Sequence, residues 1–62
     1  MKEIEVTLYK SEQKIVTIDP YQIDFIQPGL GQNFIHFIDG QIFDVVESEK
    51  ELAKRIRESK VL

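Results

Sequence analysis

Sixty-two residues make one domain with a marginal core, since a chain this short buries only roughly 60% of the surface its unfolded form exposes. No cysteine and a single histidine exclude disulfides, thiolate zinc sites and multi-histidine metal sites, so oligomerisation or docking onto a partner is the remaining aid to stability. With 42% hydrophobic residues the chain is too apolar for intrinsic disorder, yet no apolar run approaches the about 18 residues of a membrane span.

The net charge of −3 is unevenly placed. Residues 1–46 carry seven acids against three bases, and residues 47–62 carry four acids against five bases. An acidic body opposes the phosphate contacts that dominate nucleic-acid affinity. The start, Met1-Lys2-Glu3-Ile4, alternates and has no apolar signal stretch, so a cytoplasmic location is expected.

In chain order, Ile4, Val6 and Leu8 alternate with polar residues, the pattern of a half-buried strand. Val16 and Ile18 resume it after a polar turn. Setting Leu8 opposite Val16 and Val6 opposite Ile18 matches the core faces and leaves Ser11-Glu12-Gln13 as the loop. Asp19-Pro20 ends the second strand, because Pro has no ladder donor and Asp caps turns. Ile23, Phe25 and Ile26 fit either a brief strand or a helical turn followed by a strand; a short third strand is the preferred reading. Pro28–Asn33 is a loop with one Pro and two Gly, and Leu30 stands apolar at its tip.

Strands four and five are expected at Phe34–Ile38 and Gln41–Val46, joined at Asp39-Gly40. A two-residue loop would pair His36 with Phe43. A three-residue loop with Gly40 in the left-handed region would pair Ile35 with Phe43. The second register is preferred because it sorts Ile35, Phe37, Phe43 and Val45 onto one face. The other face then holds Phe34, His36, Ile42 and Asp44. Ser48-Glu49-Lys50-Glu51 reads as a reciprocal capping box at a helix start. Leu52, Ala53, Ile56, Ser59 and Lys60 form the stripe that faces the sheet. Residues 1–62 are therefore one α+β domain: an antiparallel meander of about five short strands with one C-terminal helix packed on one face.

Chemistry-bearing patterns are sparse. His36 is the one base suited to neutral pH, but it lies mid-strand with no nucleophile nearby in sequence. Asp19 and Asp39 belong to turns, Asp24 and Asp44 to strand outer faces, and no phosphate loop, dinucleotide glycine pattern or metal loop is present. No enzymatic activity, cofactor, metal or small-molecule substrate is expected. The stronger feature is the mixed face, where Phe34, His36 and Ile42 form the expected protein-interaction surface, with Tyr9 and Phe25 as further members. It would serve self-association or a heterologous partner. The basic helix end, Lys54, Arg55, Arg57 and Lys60, is the alternative nucleic-acid contact, although cations there also suit the helix C-terminus.

The order of residues resembles the FlbD-type (SwrD) family of small flagellar and swarming-motility proteins over roughly residues 4–60. The resemblance is carried by Val6-Thr7-Leu8, Ile18-Asp19-Pro20, Ile23-Asp24-Phe25-Ile26, Pro28, Ile35-His36-Phe37, Asp39-Gly40 and Val45-Val46-Glu47-Ser48. The chain departs from it at Ser11-Glu12-Gln13, where the family has an Asn-Gly-like turn, and in its longer Pro28–Asn33 loop. The resemblance implies a non-enzymatic accessory role in motor torque or flagellar gene expression. The end of the chain also resembles the LytTR-type DNA-binding domain, which is longer and presents basic loops. The leading expectation is a protein-binding motility accessory; the alternatives are a nucleic-acid-binding regulator and a phage-type inhibitor of a host protein.

Overall fold

The computed structural model describes residues 3–10 and 12–59 and shows an α+β domain. Five short antiparallel strands, β1 (Ile4–Thr7), β2 (Ile15–Ile18), β3 (Ile23–Pro28), β4 (Asn33–Phe37) and β5 (Ile42–Val45), precede the helix α1 (Glu49–Ser59). The strands divide into two sheets, β1–β2 and β3–β4–β5. A short seam joins them. Leu8 forms a bridge with Val45, the Tyr9 amide donates to the Asp44 carbonyl at 2.8 Å, and the Val46 amide donates to the Thr7 carbonyl at 2.9 Å. The first strand thus lies beside the last, and β2 stands at the outside.

The β4–β5 hairpin has the three-residue loop. Ile35 pairs with Phe43, and the Phe37 amide donates to the Gln41 carbonyl at 2.8 Å. Gly40 sits at φ +95°, a region an L side chain enters at a cost. The Asp39 carboxylate accepts from the Gln41 amide at 3.0 Å and holds the turn. A Cβ at Gly40 would meet nothing within 4 Å, so Gly40→Ala should cost only the backbone term, about 1–2 kcal/mol in urea unfolding.

The first hairpin corrects the sequence reading. Val6 pairs with Val16 and Ile4 with Ile18, two residues away from the expected register. A two-residue shift keeps every side chain on its face, so the hydrophobic pattern could not detect it. The cause is the seam. Beyond Thr7 the chain turns its outward groups to β5, and among the described residues the Leu8 amide, bonded to the Lys14 carbonyl at 2.8 Å, still reaches across. The connection is longer than Ser11-Glu12-Gln13; Ser11 lies outside the described residues, while Glu12 and Gln13 both have positive φ, at 52° and 56°.

Residues 20–28 combine a one-turn 3₁₀ helix, Pro20–Gln22, with β3. The Asp19 carboxylate caps the turn by accepting from the Tyr21 amide at 2.9 Å. The ladder to β4 then slips at Asp24, between the pairs Ile23–Phe37 and Phe25–His36. This bulge explains why Ile23, Phe25 and Ile26 are all apolar. Ile23 and Ile26 point to the core, and the extra residue turns Phe25 to the opposite face.

The core comprises Ile4, Val6 and Ile18 from the first sheet, Ile35 and Val45 from the second, and Leu52 from α1. The helix packs beside β1 with Leu52 and Ser59 buried and Ile56 half-buried. Ala53 is exposed, contrary to the expected stripe, which is narrower and follows the i, i+4, i+7 line; Lys60 lies outside the described residues. Half of the capping box forms. The Ser48 hydroxyl accepts from the Glu51 amide at 3.1 Å, but the Glu51 carboxylate turns to Arg55 at 2.9 Å instead of returning to Ser48.

Candidate interaction surface

Alternation along β3, β4 and β5 places two rows on the face away from the core. Phe25, His36 and Ile42 form one row; Gln27, Phe34 and Asp44 form the next. Tyr9 joins the second row through its amide bond to Asp44. The Phe25 and His36 rings stack with centroids 4.1 Å apart and planes within 13°. His36 Nε2 lies 2.9 Å from Gln27 Oε1, so with the amide in this orientation that nitrogen carries the proton. The imidazole is therefore held by a ring on one side and an amide at its tip.

Of the three expected contact residues, Ile42 is 56% exposed, whereas His36 and Phe34 are half-buried. Phe34 lies over the Pro28–Asn33 loop, where a Cβ on Gly29 would stand 2.8 Å from its ring carbon Cε2. Glycine thus allows the ring its close approach. Phe25, at 51%, and Tyr9, at 45%, supply more open apolar surface than Phe34 does. Leu30 is almost fully exposed at its loop tip, as expected. Within the face, Asp44 Oδ1 is buried with no hydrogen-bond partner among the described residues. An acceptor left without a donor costs about 1–3 kcal/mol, and a buried one is out of reach of a group that docks on the surface.

The basic helix end is differently arranged. Lys54 and Arg57 are exposed, and Lys60 lies outside the described residues. Arg55 is committed within the domain. Its Nε donates to Glu51 at 2.9 Å, and its Nη1 donates to Glu47 at 3.0 Å and to the Glu5 carbonyl at 2.8 Å.

Glu47 is the residue that sequence reasoning missed. An acid just before a helix suits the positive end of its dipole, so nothing in the sequence sets Glu47 apart from Glu49 and Glu51. Yet Glu47 is buried, with Oε1 accepting from the Thr7 amide at 2.9 Å and Oε2 from the Thr7 hydroxyl at 2.8 Å and from Arg55. Its carbonyl accepts from Asn33 Nδ2 at 2.9 Å. Burial by itself would raise the carboxyl pKa. The Thr7 amide and hydroxyl, its own amide and Arg55 outweigh burial and hold it below the ordinary 4.5. For Arg55 burial opposes the charge, and Glu51 and Glu47 outweigh it, so the guanidinium pKa is raised. With both oxygens of Glu47 engaged, this cluster seals β1 against α1.

Among the described residues, no group of three or more His, Asp or Glu could hold a metal ion, and no helix is long and apolar enough to cross a membrane. No protein-family model, curated protein or solved structure matches the chain.

Proposed function

We propose that this domain is a non-enzymatic adaptor that binds a basic protein through the outer face of β3–β4–β5, in a cytoplasmic motility-accessory role. The observation that carries the binding role is the Phe25–His36–Ile42 row, in which two stacked rings lie beside an exposed isoleucine. Its size argues for a partner that reaches beyond it. An aromatic side chain offers about 150–250 Å², so half-exposed Tyr9 and Phe25 with Ile42 supply about 300 Å². Any partner confined to this face would bury about 600 Å² in total, against at least about 1,200 Å² in a stable interface, so tight binding needs the surrounding surface as well. Charge points the same way, since residues 1–46 carry seven acids against three bases. The motility role is supported by the resemblance to the small flagellar proteins.

Ile42→Glu and Phe25→Glu test the reading, because both sites are exposed and the fold should survive. Each variant should lose at least tenfold in affinity for the partner captured by the unmodified chain, since one lost anchor is worth about 1.4 kcal/mol or more. Neither should restore motility to a strain lacking the gene. Full partner binding and full motility with both variants would refute the role of this face.

A further inference from the structure

The two outer strands of the domain are protected very differently. On β3, the bulge at Asp24 interrupts the ladder and Pro28 has no amide hydrogen, both devices that discourage an added strand. The free side of β1 is largely covered. The Glu5 carbonyl accepts from Arg55, the Thr7 amide donates to Glu47, the Thr7 carbonyl accepts from Val46, and the Tyr9 amide donates to Asp44. Among the described residues β2 has neither a bulge, a proline within the strand nor a group bonded to its outer side. Lys14 faces β1 through its carbonyl bond to Leu8, so alternation turns Val16 and Ile18 to β1 and leaves Ile15 and Thr17 facing outward. No hydrogen bond among the described residues reaches the outward amides or carbonyls of Ile15 and Thr17. Both residues are exposed, and Ile15–Ile18 carries no charge.

We infer that β2 is a self-pairing edge: two copies of this chain join antiparallel through it, Ile15 opposite Thr17 of the second copy and Val16 opposite Val16, about a two-fold axis. This register follows from the outward groups. Ile15 and Thr17 exchange both bonds with their counterparts, so the two-fold uses all four groups of each copy and makes four hydrogen bonds. A pair centred on Ile15 would need Gln13 in an extended conformation, but it has φ 56°. A pair centred on Thr17 would need the Asp19 carbonyl, which already accepts from Gln22 at 2.9 Å. Charge permits the contact. Each copy carries −3, yet the paired segments are neutral and the flanking Lys14 and Asp19 cancel. The contact is small, so the dimer belongs to the weak, concentration-dependent class. It is separate from the outer face of β3–β4–β5, and either can hold without the other.

Sedimentation or light scattering of the whole chain from about 10 µM to about 1 mM tests it. The mass should rise from 7.3 kDa toward twice that value, while amide exchange at Ile15 and Thr17 slows with concentration. Ile15→Lys and Thr17→Pro should each lower the association constant at least about tenfold, by adding charge or deleting a donor at the edge. A mass fixed at 7.3 kDa throughout the series would overturn the inference. So would a dimer that survives Ile15→Lys but is lost in Ile42→Glu, which would place the contact on the outer face. The exchange rates of the unmodified chain decide the matter even if a variant fails to fold: concentration-independent exchange at Ile15 and Thr17 would also refute it.

Discussion

Leu52→Asp should leave the chain unfolded at neutral pH, with no cooperative transition by circular dichroism and collapsed amide dispersion by nuclear magnetic resonance. Leu52 is fully buried and is the one side chain of α1 inside the core cluster that both sheets share. Leu52→Ala would already remove about 2–5 kcal/mol. A domain of this length has in total about 3–9 kcal/mol of stability. Aspartate adds a charge buried among apolar side chains, several kcal/mol more, so the sum exceeds what the fold can lose. Leu52→Met keeps volume and apolarity and should cost less than about 1.5 kcal/mol. A cooperative Leu52→Asp variant melting near the parent would mean that α1 contributes little to the core.

Glu47→Ala should cost about 2–3 kcal/mol at pH 7, the low end for a broken buried pair because water reaches one partner. The Glu47 side chain is 7% exposed and that of Arg55 is 34% exposed, so the released guanidinium can recover part of its hydration. The Thr7 amide, left at the seam without its acceptor, cannot. The effect should depend on pH. The folded carboxyl has a pKa below its ordinary 4.5, so its contribution is complete above that value and disappears as the pH falls through the folded pKa. Urea unfolding of the parent and Glu47→Gln should therefore differ most at neutral pH, with the gap closing in acid. A gap that stays constant from neutral to strongly acidic pH would show that the charge of Glu47 does not matter.

Local grammar was legible and long-range pairing was not. Ile38-Asp39-Gly40 was readable because turn chemistry and the two-sided pattern of Phe34–Val45 agreed on one register. The helix start was readable from Ser48 and the first turn. The β1–β2 register was not, because sliding by two residues preserves every face and the seam with Asp44 and Val45 lies thirty-five or more positions away. The bulge at Asp24 left only an ambiguous trace, three apolar residues that suit neither strict alternation nor a helix. Glu47 left none, since an acid before a helix is the ordinary dipole arrangement, and its partner Thr7 is forty residues distant. On the outer face, Ile42 was foreseen as open, but the glycine that draws Phe34 down over the loop is a packing fact invisible in one dimension.

The way β1 is enclosed bears on how the protein is made. Its free side is completed by Val46, Glu47 and Arg55, with hydrogen bonds spanning forty and fifty positions. During synthesis the first hairpin emerges with half its partners still untranslated, so it cannot be stable alone. Assembly must wait until Arg55 has been made and then proceed in one concerted event, at a speed limited by closing that large loop. A truncation that stops before Arg55 should accordingly yield no partly structured product, only a chain open to proteases.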